Sequence, residues 1–167
     1  MAPSGAPAVA VTARDGQPGG TRKVRGKFFS MYVPANFQDK SVPQASGEQM
    51  VIVNAPSSNQ ATPVRVGVVT DPAPKKTATE LSYDLEVFKK SEGAKDLTRS
   101  ALKWPGAQNA ILLQWTQTLA GANPQRTWQL VAQVNDHLIV NIIAVAPAAE
   151  FDTAGLAKII ETFRPHA

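Results

Sequence analysis

His137 and His166 are the only imidazoles in 167 residues, and cysteine is absent. Nucleophilic and general acid–base chemistry draws mostly on His, Cys or paired carboxylates. The pattern around His137 reads as a hairpin turn, and His166 stands one residue from the C-terminus; both are surface positions. A Ser-His-Asp site would have to recruit His137 from that turn, and no G-x-S-x-G elbow accompanies it. Metal-ligand patterns are also missing: the sequence holds no H-E-x-x-H, no Cys/His cluster and no D-x-D-x-D loop. Asp84 and Glu86 point to different faces of a predicted helix. Glu80 and Asp84 share a face at i, i+4, as expected of a solvated helix side. Gly19-Gly20 lacks the strand–loop–helix setting and lysine of a phosphate cradle. The sequence therefore offers no catalytic residue, no cofactor site and no metal site, and reads as a non-enzyme.

Two groups of residues remain that could recognise a partner. Arg14, Arg22, Lys23, Arg25 and Lys27 stand against only Asp15 in the first 27 residues, whereas residues 28–167 carry 12 basic and 12 acidic side chains. The net charge of +4 and pI near 9.5 thus belong to one N-terminal stretch. That stretch reads either as a docking tail for an acidic surface or as a solubilising flank. The neutral body and the lack of an aromatic RNA-reading pair speak against a nucleic-acid partner. Of the three tryptophans, Trp115 and Trp128 lie in alternating apolar strands and read as core. Trp104, directly before Pro105-Gly106, reads as core or as an exposed anchor for another protein.

The elements that position these residues follow from periodicity and punctuation. Residues 1–26 are rich in Ala, Pro and Gly and read as a flexible arm, because they offer too little apolar surface to offset ordering; a short strand at Ala8–Val11 is the alternative. A single domain spans residues 27–167. Strands are predicted at Phe28–Val33, Met50–Val53 and Val64–Val69, stopped by Pro34, Asn54-Ala55-Pro56-Ser57 and Asp71-Pro72-Ala73-Pro74. Thr77-Ala78-Thr79-Glu80 fits a capping box, with Leu81, Leu85 and Phe88 on one helix face and Gly93 as the stop. Strands follow at Thr98–Trp104, Ala110–Thr118 and Thr127–Val134. After the Gly121–Pro124 loop and an Asn135-Asp136 turn, the near-continuous apolar run Leu138–Val145 reads as a central strand. A last helix starts near Asp152 and buries Leu156, Ile159, Ile160 and Phe163. The order implies an α+β fold, an antiparallel sheet covered by helices.

The run Phe29-Ser30-Met31-Tyr32-Val33-Pro34-Ala35-Asn36-Phe37 resembles the F-S-x-x-x-P-x-x-[WF] opening of the PsbP-like family, which includes DcrB-like and LpqN-type proteins. The breaker before the first helix agrees with it. So do Leu102 with Gly106-Ala107-Gln108-Asn109-Ala110, the late hairpin, and the ending Ile159-Ile160-Glu161-Thr162-Phe163-Arg164-Pro165. The similarity covers residues 27–165, and the Ala/Pro/Gly-rich composition points to an actinobacterial-type relative. The resemblance implies an α-β-α sandwich with a central, mainly antiparallel sheet. It also implies a non-catalytic accessory or adaptor role, with another protein or multiprotein assembly as partner, the chain itself being a monomer or small oligomer. The alternative is an exported LpqN-type envelope protein that binds a small apolar ligand or lipid. As written the chain carries no signal peptide, lipobox or transmembrane segment and reads as cytoplasmic; removal of a signal peptide would make it extracytoplasmic.

Overall fold

Alternation of apolar and polar residues forms most of the sheet, and in the computed structural model it does so in antiparallel pairs throughout. The structure describes residues 3, 7, 9–41, 49–56, 63–118 and 123–167. The parts of the expected arm at residues 1–2, 4–6 and 8, with Ser57 and Gly121, lie outside the described residues.

Strands β1 (Thr21–Arg25), β2 (Phe29–Pro34), β3 (Gln38–Asp39), β4 (Gln49–Asn54) and β5 (Arg65–Asp71) precede helix α1 (Ala78–Ser91). Then come β6 (Lys95–Leu102), β7 (Asn109–Gln117), β8 (Gln125–Asn135), β9 (Leu138–Pro147), helix α2 (Leu156–Thr162) and β10 (Arg164–Pro165). Seven strands form one sheet in the order β3-β4-β5-β9-β8-β7-β6, and β1-β2-β10 form a second, small sheet. The apolar run Leu138–Val145 is thus the middle strand, as its two-sided hydrophobicity predicts.

Helix α1 covers one face of the large sheet, against Ile111, Leu113, Trp115, Val131 and Ile139. On the other face α2 and the small sheet bury Phe29, Met31, Val33, Leu156, Ile159, Ile160 and Phe163 against Leu112, Trp128, Leu130 and Ile142. Each such large side chain contributes about 1.5–3 kcal/mol on burial. The architecture is a layered α+β sandwich.

The capping box forms as read: the Glu80 amide donates to the Thr77 hydroxyl at 3.2 Å and the Thr77 amide to the Glu80 carboxylate at 3.1 Å. Hydrogen bonding of the carboxylate to the Thr77 backbone amide, and then to the Thr77 side chain, holds the Glu80 carboxyl below the usual carboxylate range. Leu81 and Leu85 of the expected stripe pack against the cluster around Trp115, and the stripe's third residue does not. Phe88 is 56% exposed, while Ala78 and Ser82 are fully buried. Arg99, 8% exposed on the sheet beneath, lies under another side of the helix, where its guanidinium donates to Ser82 Oγ and pairs with Glu86.

Other boundaries shift as well. The hairpin turn is Asp136-His137 rather than Asn135-Asp136, because an extra residue in β8 moves the register between Gln133 and Asn135. Helix α2 begins four residues after Asp152: turns occupy residues 148–155, and Gly155 at φ 73° is the N-cap. Residues 9–11 are not a strand, and β6 ends at Leu102, before Trp104.

Candidate functional site

The sequence boundary at residues 26 and 27 falls inside a β-hairpin. Thr21–Arg25, expected as part of a flexible arm, is strand β1, in register with β2 through Arg22↔Val33, Lys23↔Tyr32 and Arg25↔Ser30. Only Val24 of β1 enters the core, so the strand has little apolar patterning of its own and is held by its partner. Gly26 allows the tight return, since a Cβ there would overlap the Phe29 ring.

Pairing places Lys23, Arg25, Ser30 and Tyr32 on the outer face, opposite buried Val24, Phe29, Met31 and Val33. Lys23 Nζ lies 5.8 Å from the Tyr32 ring centroid. Arg164 of β10 continues the row Arg25–Ser30–Arg164 across three strands; its proximity was invisible in the sequence, because 134 residues separate it from Ser30. Lys23, Arg25 and Lys27 are exposed, and among the described residues neither Lys23 nor Arg25 forms an ion pair. Arg22 is turned aside, donating to the Phe37 carbonyl at 2.6 Å. Since β1 is an edge strand, these charges also discourage pairing with a foreign strand.

Arg14 belongs to a different structure. Residues 9–15 form a strap across the core on the β7 side. The Gln114 side-chain amide donates to the Val9 carbonyl at 3.2 Å and accepts from the Val9 amide at a longer 3.5 Å. Val11 is 8% exposed and joins the main core. The Arg14 amide donates to the Glu161 carbonyl at 2.9 Å, and its guanidinium pairs with the Glu161 carboxylate at 3.2 Å. Arg164 donates to the Arg14 carbonyl at 2.6 Å. Burying Val11 contributes about 2 kcal/mol, each hydrogen bond about 1 kcal/mol and the exposed ion pair under about 1 kcal/mol. Ordering the backbone costs about 1–2 kcal/mol per residue. The strap is therefore within a few kcal/mol of balance.

Trp104 is not an exposed anchor. It is 5% exposed, with its indole N–H donating to the Phe163 carbonyl at 2.8 Å, so the reading of Trp104 as a partner contact is corrected. Trp115 and Trp128 are core, at 4% and 2%. Beside the strap, Thr12, Ala13, Leu102, Trp104, Pro105 and Ala107 line an open cleft of about 560 Å³. A second cleft of about 490 Å³ lies between residues 14–18 and the helix side of Lys158, Glu161 and Thr162.

His137 and His166 are exposed, the former in the β8–β9 turn with its backbone amide donating to Asn135 Oδ1. Among the described residues no group of three His, Cys, Asp or Glu side chains is placed to hold a metal ion. No described helix is long and apolar enough to cross a membrane.

No family model and no curated protein matches the sequence. Solved structures do match the fold. The solution structure of cyanobacterial PsbP (CyanoP) from Synechocystis sp. PCC 6803 has TM-score 0.62 at 16% identity, covering 98% of each chain. LpqN, involved in cell envelope biogenesis of Mycobacterium tuberculosis, has TM-score 0.53 at 12% identity, covering 88% of this chain and 91% of its own. A Bacteroides thetaiotaomicron protein has TM-score 0.51 at 10% identity, covering 89% of this chain and 49% of its own. The fold is PsbP-like, as the ordered motifs from Phe29 to Pro165 imply.

Proposed function

We propose that this chain is a non-catalytic accessory module that docks on another protein through the basic outer face of the small sheet. The observation that carries this reading is the pair Lys23 and Arg25, exposed on the outer face of β1, with Lys27 exposed in the hairpin turn; Arg164 on β10 borders them with its guanidinium held by the Arg14 carbonyl and Asp15. An acidic protein surface is the complementary partner, and such charge pairing acts mainly on encounter rate and orientation. With two imidazoles and no cysteine in the sequence, the residue inventory supports a binding role over a catalytic one. Cytoplasmic location belongs to the same proposal and is checked by cell fractionation.

Co-purification at native expression, followed by mass spectrometry, tests the reading. A partner should be recovered at low salt and weakened at moderate salt. Recovery of a clean monomer at both ionic strengths overturns it.

A second reading, an envelope protein holding a small apolar ligand or lipid, rests on the 560 Å³ cleft, whose wall mixes Leu102, Pro105 and Ala107 with Thr12, Lys103 and Gln108. Mass spectrometry of organic extracts from the native protein tests it: a stoichiometric lipid supports it, and none above background counts against it.

A further inference from the structure

The strap's seat has the properties of a peptide site. Gln114 is fully buried, and its amide addresses a backbone N–H and a backbone C=O of the same residue, recognition that does not depend on that residue's side chain. Thr98, paired with Gln114 across β6 and β7, donates its hydroxyl to the same amide oxygen and orients it. On the same face of β6, Ser100 is fully buried, and among the described residues its hydroxyl has no hydrogen-bond partner. Two positions along the strap from Val9, Val11 fills an apolar recess; three further on, Arg14 meets Glu161, and its carbonyl meets Arg164.

The occupant is weakly retained. Val9 is 52% exposed, Ala10 and Thr12 face solvent, and the Arg14 side chain is 75% exposed. The link to β1 is Gly16-Gln17-Pro18-Gly19-Gly20, with Gly16 at φ 91° and Gly20 at φ 73°, backbone suited to a hinge.

We propose that this seat is a groove for an extended peptide, occupied in cis by residues 9–14 and in trans by an extended segment of a partner protein. The pattern it selects is that of its own strap: a backbone amide over Gln114, a small branched apolar residue two positions later, and an arginine three beyond that. The proposal rests on the docking reading and gives it a second, sequence-selective contact. The strap then acts as a competitor that the partner segment must displace.

The test uses the full chain with Val11→Asp to release the strap, and Arg14→Glu as a second release variant that leaves the core untouched. Tryptic cleavage after residue 14, or cleavage at the same position by a glutamate-specific protease in the Arg14→Glu chain, reports release. A fluorescent peptide of residues 7–15 is the probe. Release should accelerate cleavage at least tenfold, and the probe should bind the released chains at least tenfold more tightly than the unmodified chain. A probe carrying Val11→Asp should not bind. Failure of the probe to bind either released, folded chain overturns the groove. So does unaccelerated cleavage in both variants, or equal binding by the two probes. A concentration-dependent dimer of the unmodified chain that Val11→Asp abolishes overturns the partner protein as occupant in favour of a second copy. Failure of the groove leaves co-purification through Lys23 and Arg25 standing, whereas recovery of a clean monomer overturns docking and leaves the peptide measurement intact.

Discussion

The indole N–H of Trp104 donates a 2.8 Å hydrogen bond to the carbonyl of Phe163, tying the β6–β7 connection to the end of α2 across 59 residues of sequence. The same carbonyl also accepts from Arg164 at 2.8 Å. Trp104→Phe therefore leaves the carbonyl with one partner and should cost about 1 kcal/mol, whereas Trp104→Ala should cost about 3–5 kcal/mol through the cavity. Denaturant unfolding of the two variants measures both. Equal losses would show that the hydrogen bond, not the packing, carries the contact.

Two glycines with the same backbone strain should separate conformation from space. Gly93 at φ 90° has nothing within 4 Å of where a Cβ would stand, while a Cβ on Gly106 at φ 86° would overlap the Pro165 carbonyl. Gly93→Ala should cost about 1–2 kcal/mol. Gly106→Ala should cost more and loosen β10 from β2. Thermal unfolding ranks them, and equal midpoints would contradict the close approach.

The lowered pKa of Glu80 makes its cap pH-dependent. Its stabilising effect is complete well above the ordinary value of 4.5 and is lost as pH falls through the lower native value. The melting-point gap between the unmodified chain and Glu80→Ala should thus be full at pH 7 and shrink below pH 4.5. A gap that grows in acid would refute the assignment.

Edge protection and docking can be told apart at β1. Lys23→Glu with Arg25→Glu keeps the edge charged but reverses its sign, so the protein should stay dispersed and lose an acidic partner. Lys23→Val with Arg25→Val should self-associate, visible by light scattering. Either pair should change stability by no more than about 1 kcal/mol, since both positions are exposed.

What could be read from the residues was local or strongly periodic: the Thr77–Glu80 cap, the α2 stripe, and the two-sided apolarity of β9. What could not be read depended on distant partners. Thr21–Arg25 has one buried residue and becomes a strand only because β2 lies beside it. Phe88 follows the helical period of Leu81 and Leu85 yet is exposed, and the contacts of Ser82 and Glu86 with Arg99 on another element left no mark in that period. Trp104 beside a Pro-Gly turn looks exposed until Phe163 covers it. The basic residues were visible as a composition; their division into a sheet face and a strap was not, and neither was the role of Gln114, Glu161 or Arg164.

The position of β9 has a consequence for how the protein is made. Strands β3–β5 and β6–β8 form two half-sheets joined in the sheet by β9, paired to β5 on one side and β8 on the other. Until the ribosome has released residues 138–147, the nascent chain holds two open edges, one on each half, with the long-range pairings still unmade. Synthesis of everything N-terminal to residue 138 thus precedes the event that joins the strands into one sheet.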